Sequence, residues 1–138
     1  MKSEHIEKIQ KEGHRITQAR SAIVDLLENT ATPISTKALH TMLSRIGIQT
    51  NITTVYRELE FLVELNIVEK VPLKDTELYY EIKGRPHHHH LVCTSCGNIE
   101  DISLKTESML LEEAHAVSSY RIQHHSLTFY GQCPQCQH

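Results

Sequence analysis

Apolar residues recur at helical spacing through the first half of the chain and at strand spacing beyond it. Ser3 to Glu12 reads as a short amphipathic helix, with Ile6 and Ile9 on one side, ended by Gly13. Thr17 is placed to cap a second helix running to about Asn29, with Ile23, Val24, Leu26 and Leu27 inward. Pro33 breaks the chain, and Ser35 is the expected N-cap of a third helix through Leu39, Met42, Leu43 and Ile46, stopped by Gly47. A fourth helix begins near Thr53 and runs to Leu65, burying Val55, Leu59, Leu62 and Val63, with Asn66 as a left-handed cap.

After Asn66 the period changes to two. Ile67 to Pro72 and Leu78 to Ile82 read as strands joined by the turn Lys74-Asp75-Thr76. Helices followed by a small hairpin make a winged helix. Lys83-Gly84-Arg85-Pro86 punctuates the chain and composition shifts there, so the expected layout is a domain at 1–82, a hinge at 83–86 and a second domain at 87–138. In that second domain strands are expected near His88–Cys93 and Asn98–Ile102, then a helix from about Thr106 to Ser119 and a strand through Ser126–Gly131. The fold class is α+β.

Two domains in 138 residues leave each with a thin core, which a structural metal commonly remedies. No stretch is apolar enough to span a membrane, and the first residues lack the apolar run of a signal peptide, so a cytoplasmic location is expected. In that reducing setting paired cysteines are metal ligands more often than disulfides. The formal charge of −3 argues against a broadly basic nucleic-acid binder but leaves room for a local patch. Histidine is unevenly spread, with 8 of 11 in the last 52 residues, so the two halves carry different chemistry.

All four cysteines fall in two Cys-x-x-Cys pairs, Cys93–Cys96 and Cys133–Cys136. Each pair forms a turn presenting two sulfurs to one ion, and together they supply a closed tetrahedral zinc site. A catalytic thiol is the weaker reading, because no thioredoxin-like unit surrounds either pair. Just upstream stands His87-His88-His89-His90. A solvated histidine patch fits that run. On an extended strand, however, alternation sends His87 and His89 to one face and His88 and His90 to the other, so one strand can serve two metal sites. Candidate partners are Glu107 and His125 for the first pair, and Glu81 and Glu69 for the second.

The helix from Thr53 to Leu65 is the candidate DNA reader. Its first turns carry Thr53, Thr54, Tyr56 and Arg57, which can bond phosphates, stack or reach a guanine edge. An ordinary amphipathic helix with an exposed arginine fits the same pattern. Arg15 and Arg20 add local positive charge to a region, residues 1 to 82, with 10 Lys+Arg against 12 Asp+Glu.

The segments Arg15-Ile-Thr-Gln-Ala-Arg20, Thr53-Thr-Val-Tyr-Arg57, His87 to Gly97 and His125-Ser-Leu with Tyr130-Gly131 and Cys133 to Cys136 together resemble the ferric uptake regulator family, over essentially the whole length. The resemblance implies a homodimeric, metal-activated repressor that is not an enzyme. Its winged helix would read palindromic operators of metal-uptake genes and its second domain would dimerise. It implies structural zinc on the four cysteines, a regulatory site on Glu81, His88 and His90, and a further site on His87, His89, Glu107 and His125. Tyr56 and Arg57 resemble base and phosphate contacts, and Arg15 the residue reaching the minor groove. Where iron- and peroxide-sensing members supply a histidine before the third helix, this chain has Pro33. Zinc sensors use a carboxylate that Glu69 resembles, but usually have cysteine at the position of Glu81. That mixed set suits iron(II), zinc or manganese, so a peroxide- or manganese-responsive member is the alternative within the family. A metal store or redox protein is the alternative of another class. A store needs neither the Thr53–Leu65 helix nor the wing, and a redox protein needs an open metal position or a reactive thiol.

Overall fold

The computed structural model describes residues 3–74 and 76–137; Asp75, at the centre of the expected hairpin turn, lies outside the described residues. The chain divides into two compact units, Met1–Arg85 and Pro86–His138.

The first unit runs α1 (Glu4–Lys11), α2 (Gln18–Glu28), β1 (Ile34–Ser35), α3 (Thr36–Arg45), α4 (Ile52–Glu64), β2 (Val68–Lys74) and β3 (Glu77–Ile82). Each helix starts on a side chain that accepts an otherwise unpaired backbone N–H. Ser3, Thr17 and Ser35 do so for α1, α2 and α3, and Asn51 accepts from Thr54 at 2.8 Å for α4. With Asn51 as its cap, α4 begins at Ile52, one residue ahead of the start expected near Thr53. Asn66 follows α4 at φ +60°, the left-handed geometry an asparagine tolerates when a helix must stop and turn.

Ile9, Ile23, Val24, Leu27, Leu39 and Leu43 meet the inner face of α4 (Val55, Leu59, Leu62) in one core, closed below by Ile67, Val68, Tyr80 and Ile82. The sheet order is β1-β3-β2. Strand β1 went unrecognised in the sequence because it is two residues long. It exists only through its antiparallel pairing with β3 (Ile34 opposite Tyr80, Ser35 opposite Tyr79), while Ser35 also caps α3. Register shifts between Val71 and Lys74, around Pro72, which brings no N–H to a ladder; β2 is an edge strand, where that is tolerated.

The second unit contains β4 (His89–Cys93), β5 (Ile99–Ile102), α5 (Glu107–Val117), β6 (Thr128–Gly131) and a 3₁₀ turn at Pro134–Cys136. Its sheet order is β5-β4-β6, with β5 antiparallel and β6 parallel to the central β4. Little is fully buried. Val92, Cys93, His89 and His90 are, but α5 buries no residue, and Met109, Leu110, Val117, Tyr120, Phe129 and Tyr130 stand exposed. A unit with so slight a core needs other sources of stability.

Candidate metal centres and nucleic-acid interface

The first centre is built by two turns. Gly97 donates its N–H to the Cys93 carbonyl at 2.9 Å and sits at φ +78°, so the chain after Cys96 folds back at a position glycine adopts without strain. In the other turn the Cys136 N–H donates to the Cys133 carbonyl at 2.9 Å. Parallel pairing of Cys93 with Gly131, and the Thr94 N–H bond to the Gly131 carbonyl at 2.7 Å, bring the second turn against the first. No cysteine is in a disulfide. All four offer a sulfur within 4.8 Å of one another, and the Cys96 and Cys133 sulfurs are 3.8 Å apart. Zinc–thiolate bonds of about 2.3 Å arranged tetrahedrally place sulfurs about 3.8 Å apart, so the donor set and spacing fit zinc.

Backbone N–H groups of Cys133 and Cys96, each 3.4 Å from the Cys93 sulfur, lower its thiol pKa to about 5. Contacts with the sulfurs of Cys133 and Cys93 push Cys136 up to about 12. Cys93 is thus disposed to ionise and Cys136 to keep its proton, and a divalent cation would favour the thiolate at both.

The second centre gathers His87, His89, Glu107 and His125. Glu107, in the first turn of α5, pairs with His87, with His125 at 2.5 Å and with His89 at 3.2 Å through one oxygen, Oε1. Three imidazoles converging on one carboxylate oxygen suit zinc, iron(II) or manganese. His89 is fully buried; burial lowers its pKa, against the opposing pull of Glu107. Burial acts to raise the Glu107 pKa, but the charges of His87, His89 and His125 outweigh it and hold the carboxyl below its ordinary value.

His90 on β4 and His88 just ahead of that strand join Asp101 on β5, with His90 Nε2 3.5 Å from Asp101 Oδ1 and the two histidine rings 5.0 Å apart. His88 Nδ1 donates to the Pro86 carbonyl at 2.8 Å, which leaves Nε2 as its ligand atom. Asp101 escaped the sequence reading. It comes to this face because it pairs directly with His90 across the ladder, a register that spacing along the chain does not reveal. The other expected ligands of this set lie in the first unit. Glu81 is buried on β3 with Arg85 Nη1 3.4 Å from its Oε2. Glu69 sits opposite Glu81 in the β2–β3 ladder, is exposed, and joins none of the metal-capable clusters among the described residues.

The candidate DNA reader is α4. Val55, Leu59 and Leu62 face the core, while Thr53, Tyr56 and Arg57 are exposed and Thr54 is half-buried beside the cap. His40 Nε2 donates to the Thr50 carbonyl at 2.7 Å and fixes the approach to the helix. Arg15 is exposed. Arg20 differs from its expected place among the DNA contacts: its guanidinium is paired with Glu58 and covered by the fold.

A family model of the ferric uptake regulator family matches residues 11–130. The ferric uptake regulation protein of Bacillus subtilis (strain 168) is 34% identical over 143 residues, covering 95% of this chain and 93% of that protein. The ferric uptake regulator of Vibrio cholerae superposes with a TM-score of 0.82 at 27% identity, over 92% of this chain and 98% of that one. That of Francisella tularensis, solved with iron, gives 0.80 at 27%, over 90% and 95%. No helix among the described residues is long and apolar enough to cross a membrane. With a winged helix ahead of a small α/β unit rich in clustered cysteine and histidine, and a family match that spans both, the chain belongs to the ferric uptake regulator family.

Proposed function

We propose that this chain is a metal-dependent repressor of metal-uptake genes that binds palindromic operator DNA as a homodimer. The observation that carries the reading is α4, which buries one side in the winged-helix core and presents Thr53, Tyr56 and Arg57 on the other. A helix N-terminus with that composition suits the major groove, where arginine reads guanine and hydroxyls grip phosphate.

The four cysteines would hold structural zinc. Glu81, His88 and His90 would hold the regulatory ion, iron(II) or zinc with manganese also accommodated, and His87, His89, Glu107 and His125 a further ion. A divalent ion held by these residues would supply coordinate bonds on either side of Lys83–Pro86, which would couple metal occupancy to the DNA-binding state. Asp101, beside His90, is a better placed further carboxylate than the exposed Glu69. The apolar side chains that α5 and β6 leave exposed, Met109, Leu110, Phe129 and Tyr130, support dimerisation through the second unit.

The deciding experiment is operator binding by the zinc-loaded dimer, titrated separately with iron(II), zinc and manganese under anaerobic, metal-buffered conditions. Metal-dependent binding is expected. Equal binding with and without added metal, or none at all, would refute the reading.

A further inference from the structure

Arg20 turns its guanidinium inward. Nε donates to Glu58 Oε2 at 2.8 Å and Nη2 to Glu58 Oε1 at 3.2 Å, a two-pronged pair, while Nη1 donates to the Arg15 carbonyl at 2.7 Å. The guanidinium carbon lies 3.8 Å from the centroid of the Phe61 ring, and the His14 ring meets that same ring edge-on at 4.9 Å. Only 15% of the Arg20 side chain is exposed. Glu58 and Phe61 belong to α4, whereas His14 and Arg15 belong to the segment between α1 and α2. One guanidinium therefore ties that segment to the reading helix at three points: a carboxylate, a ring and a backbone carbonyl.

A cation so covered, with its fork already matched to a carboxylate, is poorly disposed to grip phosphate. Its neighbours are well disposed. The Arg15 side chain is exposed, and Arg57 directly precedes Glu58. We propose that Arg20 is a positioning residue that locks the Arg15 backbone to α4, so that Arg15 and Arg57 meet DNA as one rigid surface. This rests on the reading of α4 and Arg15 as DNA-contacting. Without the lock, each binding event would have to order the Arg15 segment, at a conformational cost that the folded protein has already met.

Glu58 gives the test its sign. If the carboxylate acted only by its charge, removing it beside a DNA-binding helix would favour phosphate and tighten binding. If it anchors Arg20, removing it weakens binding although every arginine remains. The probe is a duplex selected from random-sequence DNA by the metal-loaded full-length protein. Affinity and its salt slope are measured for the wild type, Arg15→Ala, Glu58→Gln, Arg20→Ala, Arg57→Ala and the double variant Arg15→Ala/Glu58→Gln, with thermal unfolding of each. Arg15→Ala should weaken binding about tenfold and lower the salt slope by about one. Glu58→Gln, which keeps the proposal testable if Arg20→Ala fails to fold, should weaken binding about threefold. The double variant should bind no worse than Arg15→Ala alone, because Arg20 acts through Arg15. Tighter binding by Glu58→Gln, or a double-variant loss equal to the product of the single losses, would overturn the positioning role. Full affinity in both Arg15→Ala and Arg57→Ala would instead remove the DNA-contact reading on which it stands.

Discussion

The sulfurs of Cys96 and Cys133 lie 3.8 Å apart although 37 positions separate the residues, the spacing of two thiolates on one tetrahedral zinc ion. Parallel pairing of β4 with β6 creates this approach, so ligation would staple the end of the chain to the centre of the sheet. A closed zinc site can contribute on the order of 10 kcal/mol to folding at neutral pH. Cys96→Ser should lose the zinc and unfold the second unit at lower temperature. Elemental analysis showing full zinc in a well-folded Cys96→Ser protein would remove the assignment. Because Cys93 is held at about pKa 5, zinc uptake at pH 7 should release fewer than four protons, as calorimetry in buffers of different ionisation enthalpy would show.

Acid should destabilise the metal-free protein in two stages. Burial lowers the His89 pKa from 6.5, so below that value the unfolded chain binds the proton more readily and stability falls with pH. Glu107 is held below its ordinary 4.5, so its contribution is present above that pH and is lost as pH falls further. In the presence of a strong chelator, His89→Gln should flatten the fall in unfolding temperature between about pH 7 and pH 5.5. An unchanged slope would show that another group causes it.

Arg57 and Tyr56 should govern DNA affinity with little effect on metal binding, since both lie exposed on α4 in the first unit. Arg57→Ala should cost about 1–3 kcal/mol if it reads a guanine, or lower the salt slope by about one if it grips phosphate. By contrast, Asn51→Ala removes the α4 cap and should cost about 1 kcal/mol of fold stability. Equal losses of stability in all three variants would mean that α4 is scaffold rather than reader.

Three carboxylates are candidates for the regulatory site, and their surroundings rank them. Glu81 is buried, Asp101 is 3.5 Å from His90, and Glu69 is exposed. Glu81→Ala and Asp101→Asn should shift the metal midpoint for operator binding upward about tenfold or more, and Glu69→Ala should leave it in place. A shift only in Glu69→Ala would reverse the ranking. His88→Ala and His90→Ala should abolish metal-dependent binding, and His87→Ala should weaken it less.

Features that depend only on neighbours along the chain are legible in the residues themselves. Thr17 and Ser35 mark helix starts because a short side-chain oxygen reaches the N–H three residues on, and Asn66 marks a stop because it tolerates positive φ. The two cysteine pairs are equally local, since each turn needs only the residues between its thiols. Alternation expected along the histidine run likewise separates His87 and His89 from His88 and His90 before any partner is known, although only His89 and His90 lie within β4. Tertiary structure alone decided what depends on register and docking. Strand β1 is too short to be periodic and exists through Tyr79 and Tyr80. Asp101 meets His90 because β5 pairs with β4 at one register, and a shift of a single residue would turn it to the opposite face. Arg20 reads as one more surface cation until α4 packs beside α2. Only then does Glu58, 38 positions away, pair with its guanidinium and cover most of it.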